Sequence, residues 1–100
     1  MILWINTKDQ KTVEVALKKD GKTVRSLSEQ NEYGSQVLLP LILKLLKTEN
    51  CELKTLQGIE VEIGPGSFTG LRVGVSVANA LGYSLSIPVN GKKEELEILY

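Results

Sequence analysis

Apolar and polar positions divide the chain into short strands and two helices. Residues 1–6, Met1-Ile2-Leu3-Trp4-Ile5-Asn6, carry apolar side chains at their first five positions. Both faces of such a strand are buried, so it is central. Asn6 to Gln10 is polar and reads as a turn. From Thr12 to Leu17 the pattern alternates, with Val13, Val15 and Leu17 on one side and Thr12 and Glu14 on the other. That is a half-buried strand. Lys19-Asp20-Gly21-Lys22 predicts a hairpin, because Asp-Gly supplies the positive φ angles of a tight two-residue turn. The return strand, Lys22 to Leu27, is polar enough for a sheet edge.

After a loop at Ser28 to Asn31, a helix is expected from about Tyr33 or Ser35 to Lys47. Its run Val37-Leu38-Leu39-Pro40-Leu41-Ile42-Leu43-Lys44-Leu45-Leu46 is apolar almost all round. One sheet contact covers only one side of such a helix, so a second cover is implied. Pro40 falls early, where one lost backbone bond is tolerated. Gln57 to Ile63 alternates again, with Ile59, Val61 and Ile63 opposite Glu60 and Glu62. A second helix is expected from about Thr69 to Tyr83. At about 100° per residue, Gly70, Gly74, Ala78 and Gly82 form one stripe. Val73, Val77 and Leu81 lie beside it facing the core, and Arg72, Ser76, Asn79 and Tyr83 lie opposite. Ser84 to Val89 predicts a last strand, at an edge because it holds Pro88. Lys92 to Tyr100 reads as a short charged helix or a tail.

Three hairpin strands followed by helix, strand, helix and strand predict an α/β fold, a ribonuclease-H-like single lobe. Its mixed five-stranded sheet has order 3-2-1-4-5, with two main helices. The whole of residues 1–100 is expected to be one such lobe. Polar residues on one face of strands two, three and four predict that this sheet face is open to solvent.

Composition narrows the chemistry. Twelve basic and twelve acidic residues cancel, so no charge argues for direct nucleic-acid binding. The sequence has one cysteine, Cys51, and no histidine. A zinc site of the usual kind is excluded, as are Ser-His and Cys-His nucleophiles. A lone cysteine forms no internal disulfide, in keeping with a cytoplasmic protein. Neither a signal peptide nor a membrane span is expected.

The strand and helix meet at Gly64-Pro65-Gly66-Ser67-Phe68-Thr69-Gly70-Leu71-Arg72-Val73-Gly74. Gly64 and Gly66 suit a tight turn, Pro65 stiffens it, and Ser67 or Thr69 can cap the helix. Amides at such a turn make Gly64, Gly66, Ser67 and Thr69 a possible anion-binding group. A structural turn that lets strand and helix pack closely is the stronger reading, because no lysine or acid lies within Gly64–Gly70 as in a nucleotide loop.

The run GPGSFTGLRVGVS closely resembles the signature of the TsaB (YeaZ) family, partners of TsaD in making threonylcarbamoyladenosine on tRNA. The resemblance extends to Met1–Thr7, to Val37–Ile42 and to Ile87-Pro88-Val89. It implies a lobe of the actin and sugar-kinase superfamily. It also implies that the two helices pack against the equivalent pair of TsaD, or of a second copy in a homodimer. Leu39, Leu43 and Leu46 of the first helix and Gly70, Gly74 and Ala78 of the second are the candidate contacts.

Three departures bear on catalysis. The family carries Asp-Thr-Ser after the first strand, where this chain has Asn6-Thr7-Lys8. Without that carboxylate, magnesium and ATP chemistry are disfavoured, and no cofactor is expected. A His-Ser pair of the family is replaced around Glu32-Tyr33-Gly34-Ser35. The family's second lobe does not follow within these 100 residues. Glu60 and Glu62 share a spacing suited to acid/base work, but no third acid stands in register for a nuclease. The expectation is a non-catalytic partner of TsaD with no catalytic residue, no metal, no membrane contact and no direct nucleic-acid contact. Two alternatives stand beside it: a divergent single-lobe homologue that only homodimerises, and an ATP-dependent transferase or peptidase.

Overall fold

A computed structural model describes residues 1–9, 11–30 and 37–92. Its elements run β1 (Ile2–Asn6), β2 (Thr12–Lys19), β3 (Lys22–Gln30), α1 (Leu38–Thr48), a 3-10 turn (Leu53–Thr55), β4 (Gly58–Val61) and α2 (Phe68–Leu85). Asp20 and Gly21 turn β2 into β3 with φ angles of 53° and 78°, the positive pair that a two-residue hairpin demands. The expected starts of the first helix, Tyr33 and Ser35, and the proposed helix or tail at 93–100 lie outside the described residues.

The sheet order is β3-β2-β1-β4. β1 pairs antiparallel with β2 and parallel with β4, so Leu3 stands between Leu17 and Ile59, and Ile5 between Val15 and Val61. These six side chains are buried. α1 lies over β2 and β3, and α2 over β1 and β4. Leu38, Leu41, Ile42, Leu45 and Leu46 of α1 join Val75 and Ala78 of α2 in one core with the strands. Both helices therefore cover the same sheet face.

The expected fifth strand is a correction. The described sheet has four strands, and the segment after α2 adds a single parallel bridge, Ile59 to Val89. Three local causes stop it growing. α2 continues through Leu85 and takes the first residues of the expected strand. Pro88 has no N–H to donate. Asn90 and Gly91, with φ of 51° and 78°, fold the chain back so that Val89 pairs with Lys92.

The opposite sheet face lacks a helical cover among the described residues. Across it run Ser26, Ala16, Trp4 and Glu60, in register on β3, β2, β1 and β4. Glu60 is exposed and Glu62 half-buried. Lys18 Nζ sits 3.1 Å from Glu60 Oε1 and 5.4 Å from the centre of the Trp4 ring. A shallow depression of about 400 Å³ opens here, lined by Trp4, Glu14, Ala16, Lys18, Thr23, Ser26 and Glu62.

Candidate functional site

Two features were singled out by the sequence: the glycine turn and the helix layer. The turn joins β4 to α2. Ser67 is the N-cap of α2, and its Oγ accepts from Gly70 N at 3.3 Å. Ser67 N donates to Lys8 O at 2.8 Å, tying the turn to the loop after β1. A Cβ on Gly66 would stand 2.9 Å from Lys8 O, so the close approach of those two loops requires glycine there. Of the four residues proposed for an anion, Gly64, Gly66, Ser67 and Thr69, only Thr69 and Gly66 are exposed. The Ser67 amide and the Gly70 amide already serve acceptors of the chain itself.

The loop after β1 is held by its own side chains. Asn6 Oδ1 accepts from Lys8 N at 3.1 Å, and Asp9 Oδ1 from Lys11 N at 2.9 Å. Thr7 is 2 % exposed, the one buried polar side chain among the described residues. Its hydroxyl donates to Gly70 O at 2.6 Å, which satisfies the group in its buried position. Sequence reasoning missed Thr7. Its partner lies 63 residues away, and no local pattern marks it.

The small-residue stripe faces inward. Gly74, Ala78 and Gly82 are buried. A Cβ on Gly74 would overlap Thr7 Oγ1, one on Gly70 would overlap Thr7 O, and one on Gly82 would press on Val89. The stripe lets α2 lie close against the end of β1 and against Val89. Gly70, Gly74 and Ala78, expected as contacts with a partner, are instead contacts within the chain. Leu46, also expected there, is 4 % exposed and belongs to the core. Val73, Val77 and Leu81, expected in the core, are only partly buried on its flank.

Leu39 and Leu43 stand apart. They are 44 % and 51 % exposed and one helical turn apart on α1. They leave an apolar margin on the outer side of α1. Asn90 is the second residue that sequence reasoning missed. Val61 N donates to Asn90 Oδ1 at 2.8 Å and Asn90 Nδ2 donates to Val61 O at 2.9 Å. The Asn90-Gly91 pair was the available signal, since it marks a tight turn.

Among the described residues no group of three or more cysteine and acidic side chains is placed to hold a metal ion. No described helix is long and apolar enough to cross a membrane.

Comparison with known proteins places these features in context. Residues 28–92 match the family model described as TsaD, tRNA N6-adenosine threonylcarbamoyltransferase. The tRNA threonylcarbamoyladenosine biosynthesis protein TsaB of Buchnera aphidicola (subsp. Schizaphis graminum) is 38% identical over 71 residues, 70% of this chain and 34% of its own length. TsaB of Escherichia coli K12 is 31% identical over 90 residues, 90% of this chain and 38% of its own. The solved structure of YeaZ from Pseudomonas aeruginosa superposes with a TM-score of 0.79 at 32% identity, covering 88% of this chain and 40% of that one. The chain thus spans between 30% and 40% of the length of these TsaB relatives.

Proposed function

Since this chain belongs to the TsaB (YeaZ) family, we propose that it acts as a non-catalytic partner of a TsaD-like protein in tRNA threonylcarbamoyladenosine synthesis in the cytoplasm. The observation that carries the reading is the pair Leu39 and Leu43. Two leucines about half exposed on neighbouring turns of one helix are a surface for another apolar helix. The helix layer is the face that the partner takes, and the same margin serves a second copy when TsaD is absent.

The non-catalytic part of the reading rests on Asn6. Its side-chain oxygen is engaged by the Lys8 amide, and it stands where the family carries a carboxylate. No nucleotide or metal role is assigned to the glycine turn, whose Ser67 and Gly70 amides are used internally.

The test is a pull-down and light-scattering titration of the chain with the TsaD-type protein of its own genome. A mixed complex that disappears in Leu39→Glu/Leu43→Glu supports the proposal. A complex that survives this change, or none with the unaltered chain, overturns it. A reconstituted modification assay then reports whether the chain is needed for activity.

A further inference from the structure

Beyond α2 the chain folds back on β4 through one side chain. Val61 N donates to Asn90 Oδ1 at 2.8 Å, and Asn90 Nδ2 donates to Val61 O at 2.9 Å. Both ends of the carboxamide are engaged by the backbone of one residue. The turn that presents it is closed by Val89 N to Lys92 O at 2.8 Å and by Lys92 N to Val89 O at 3.0 Å. Between them stand Asn90 and Gly91, with φ of 51° and 78°, the positive pair of a two-residue hairpin turn. Asn90 is half-buried and Gly91 exposed. Nothing among the described residues comes within 4 Å of where a Gly91 Cβ would stand, so the tip of the turn is open to water.

No other asparagine of the sequence precedes a glycine. Asn6, Asn31, Asn50 and Asn79 are followed by Thr7, Glu32, Cys51 and Ala80. The distinction is chemical. The backbone nitrogen after an asparagine can attack the side-chain carbonyl carbon, and it does so most readily when its own residue has no Cβ to crowd the closing ring. At Asn90 the Gly91 nitrogen gives up its proton and bonds to Cγ. The Cγ–Nδ2 bond breaks, and Nδ2 leaves as ammonia. The five-membered succinimide then takes up one water. Opening at Cγ gives aspartate and restores the main chain. Opening at the main-chain carbonyl gives isoaspartate, with the chain routed through Cγ. The balance needs water alone, with no oxidant or reductant.

We infer that Asn90 is a site of spontaneous deamidation, and that closure of its turn onto β4 holds the reaction back. The attack requires Cγ to swing onto the Gly91 nitrogen, whereas the two bonds to Val61 keep the carboxamide on the strand. Only a chain whose turn has opened locally reacts, so the observed rate is the intrinsic rate reduced by the opening equilibrium. The product does not close as the parent does. Aspartate has no N–H for Val61 O and sets a negative charge against that carbonyl. Isoaspartate adds a carbon to the main chain within a two-residue turn. Val61 leads through Glu62 and Ile63 into the glycine turn before α2, so the loosened edge adjoins that turn. The modification records, irreversibly, the time a chain has spent with this edge open.

The test incubates the full chain in mildly alkaline buffer and in urea above its unfolding midpoint. Peptide mass spectrometry follows the gain of one dalton at each asparagine, and isoaspartate is assayed in the same digests. In urea, Asn90 should react faster than the other asparagines. In buffer it should react about tenfold or more slowly than in urea, as expected when a local opening must come first. Lys92→Pro removes the N–H that closes the turn and leaves Asn90-Gly91 intact. It should recover much of the lost rate while circular dichroism shows the remainder of the chain folded. Protein aged in urea, refolded and separated by its added negative charge should exchange the Ile59 and Val61 amide hydrogens faster than the parent. The inference is overturned if Asn90 is no more reactive than the other asparagines in urea, or if native and unfolded chains react alike. It is also overturned if a folded Lys92→Pro chain reacts as slowly as the parent, or if the aged protein exchanges those amides unchanged. Should Lys92→Pro not fold, the comparison of buffer with urea and the exchange of the aged protein decide.

Discussion

Thr7 and Gly74 fit each other as a side chain fits a notch. The threonine lies at the end of β1 and the glycine two turns into α2, and a Cβ on the glycine would overlap the threonine hydroxyl. That hydroxyl donates to Gly70 O, one turn earlier on the same helix. β1 and α2 are thus held by one buried hydrogen bond and one missing methyl group, on either side of a 2 % exposed residue.

A change at either member should therefore depend on the other. Gly74→Ala alone is expected to destabilise by about 1–3 kcal/mol, through overpacking against Thr7. Thr7→Ala alone loses the buried hydrogen bond, at a cost of about 1 kcal/mol. Together they should cost less than the sum, because the shortened side chain makes room for the new methyl. Urea unfolding of the four proteins gives the coupling. A strictly additive result would show that α2 shifts away from β1 instead.

The Asn90 amide acts as an extra peptide group on the edge of β4. It replaces the next rung of the ladder where the backbone has already turned away. Asn90→Ala should cost about 1–3 kcal/mol, because Val61 N–H and C=O lose their partners at a part-buried site. Asn90→Asp should be no milder, since a carboxylate cannot donate to Val61 O. Asn90→Gly separates this loss from the backbone preference, as glycine accepts the 51° φ of the position without strain. If Asn90→Gly is as stable as the parent, the side-chain bonds contribute nothing and the turn alone closes the edge.

How far the sequence reveals this fold depends on the range of the interaction involved. The Asp20-Gly21 hairpin, the alternation of β2 and the Ser67 cap are local, and each is legible because its physical cause lies within a few residues. The stripe Gly70, Gly74, Ala78 and Gly82 was equally visible as a smooth surface. What fills it was not, because helical spacing says which residues share a face and nothing about which neighbour arrives there. Thr7 and Val89 fill it from opposite ends of the chain. Ser84 to Val89 failed as a strand for a related reason. Its apolar residues suit a strand, but α2 had the tertiary support to run on to Leu85.

Trp4 offers a direct reading of the open sheet face. It is the sole tryptophan, half-buried under Lys18, with the ammonium 5.4 Å from the ring centre. Lys18→Met keeps the aliphatic cover and removes the charge that also pairs with Glu60. The expected outcome is a changed Trp4 emission with little change in stability, because an exposed ion pair contributes little. An unchanged spectrum would mean that the Lys18 ammonium sits in solvent and not over the ring. Glu60→Gln should leave the emission closer to the parent, since the cation stays above the ring.

Leu39 and Leu43 call for the opposite result to a core substitution. Leu38, Ile42 and Leu45 are wholly buried, and truncating any of them should cost about 2–5 kcal/mol. Leu39 and Leu43 face solvent at 44 % and 51 % exposure. With Leu39→Glu and Leu43→Glu the chain should therefore unfold at nearly its original urea midpoint, within about 0.5 kcal/mol. The difference should appear on mixing with the proposed TsaD-like partner, where an apolar contact replaced by two carboxylates would have to be desolvated without partners. Loss of binding at unchanged stability is the signature of an interface; loss of both would place the two leucines in the core after all. The contrast is sharp because the inward and outward leucines share one helix and the same local propensity.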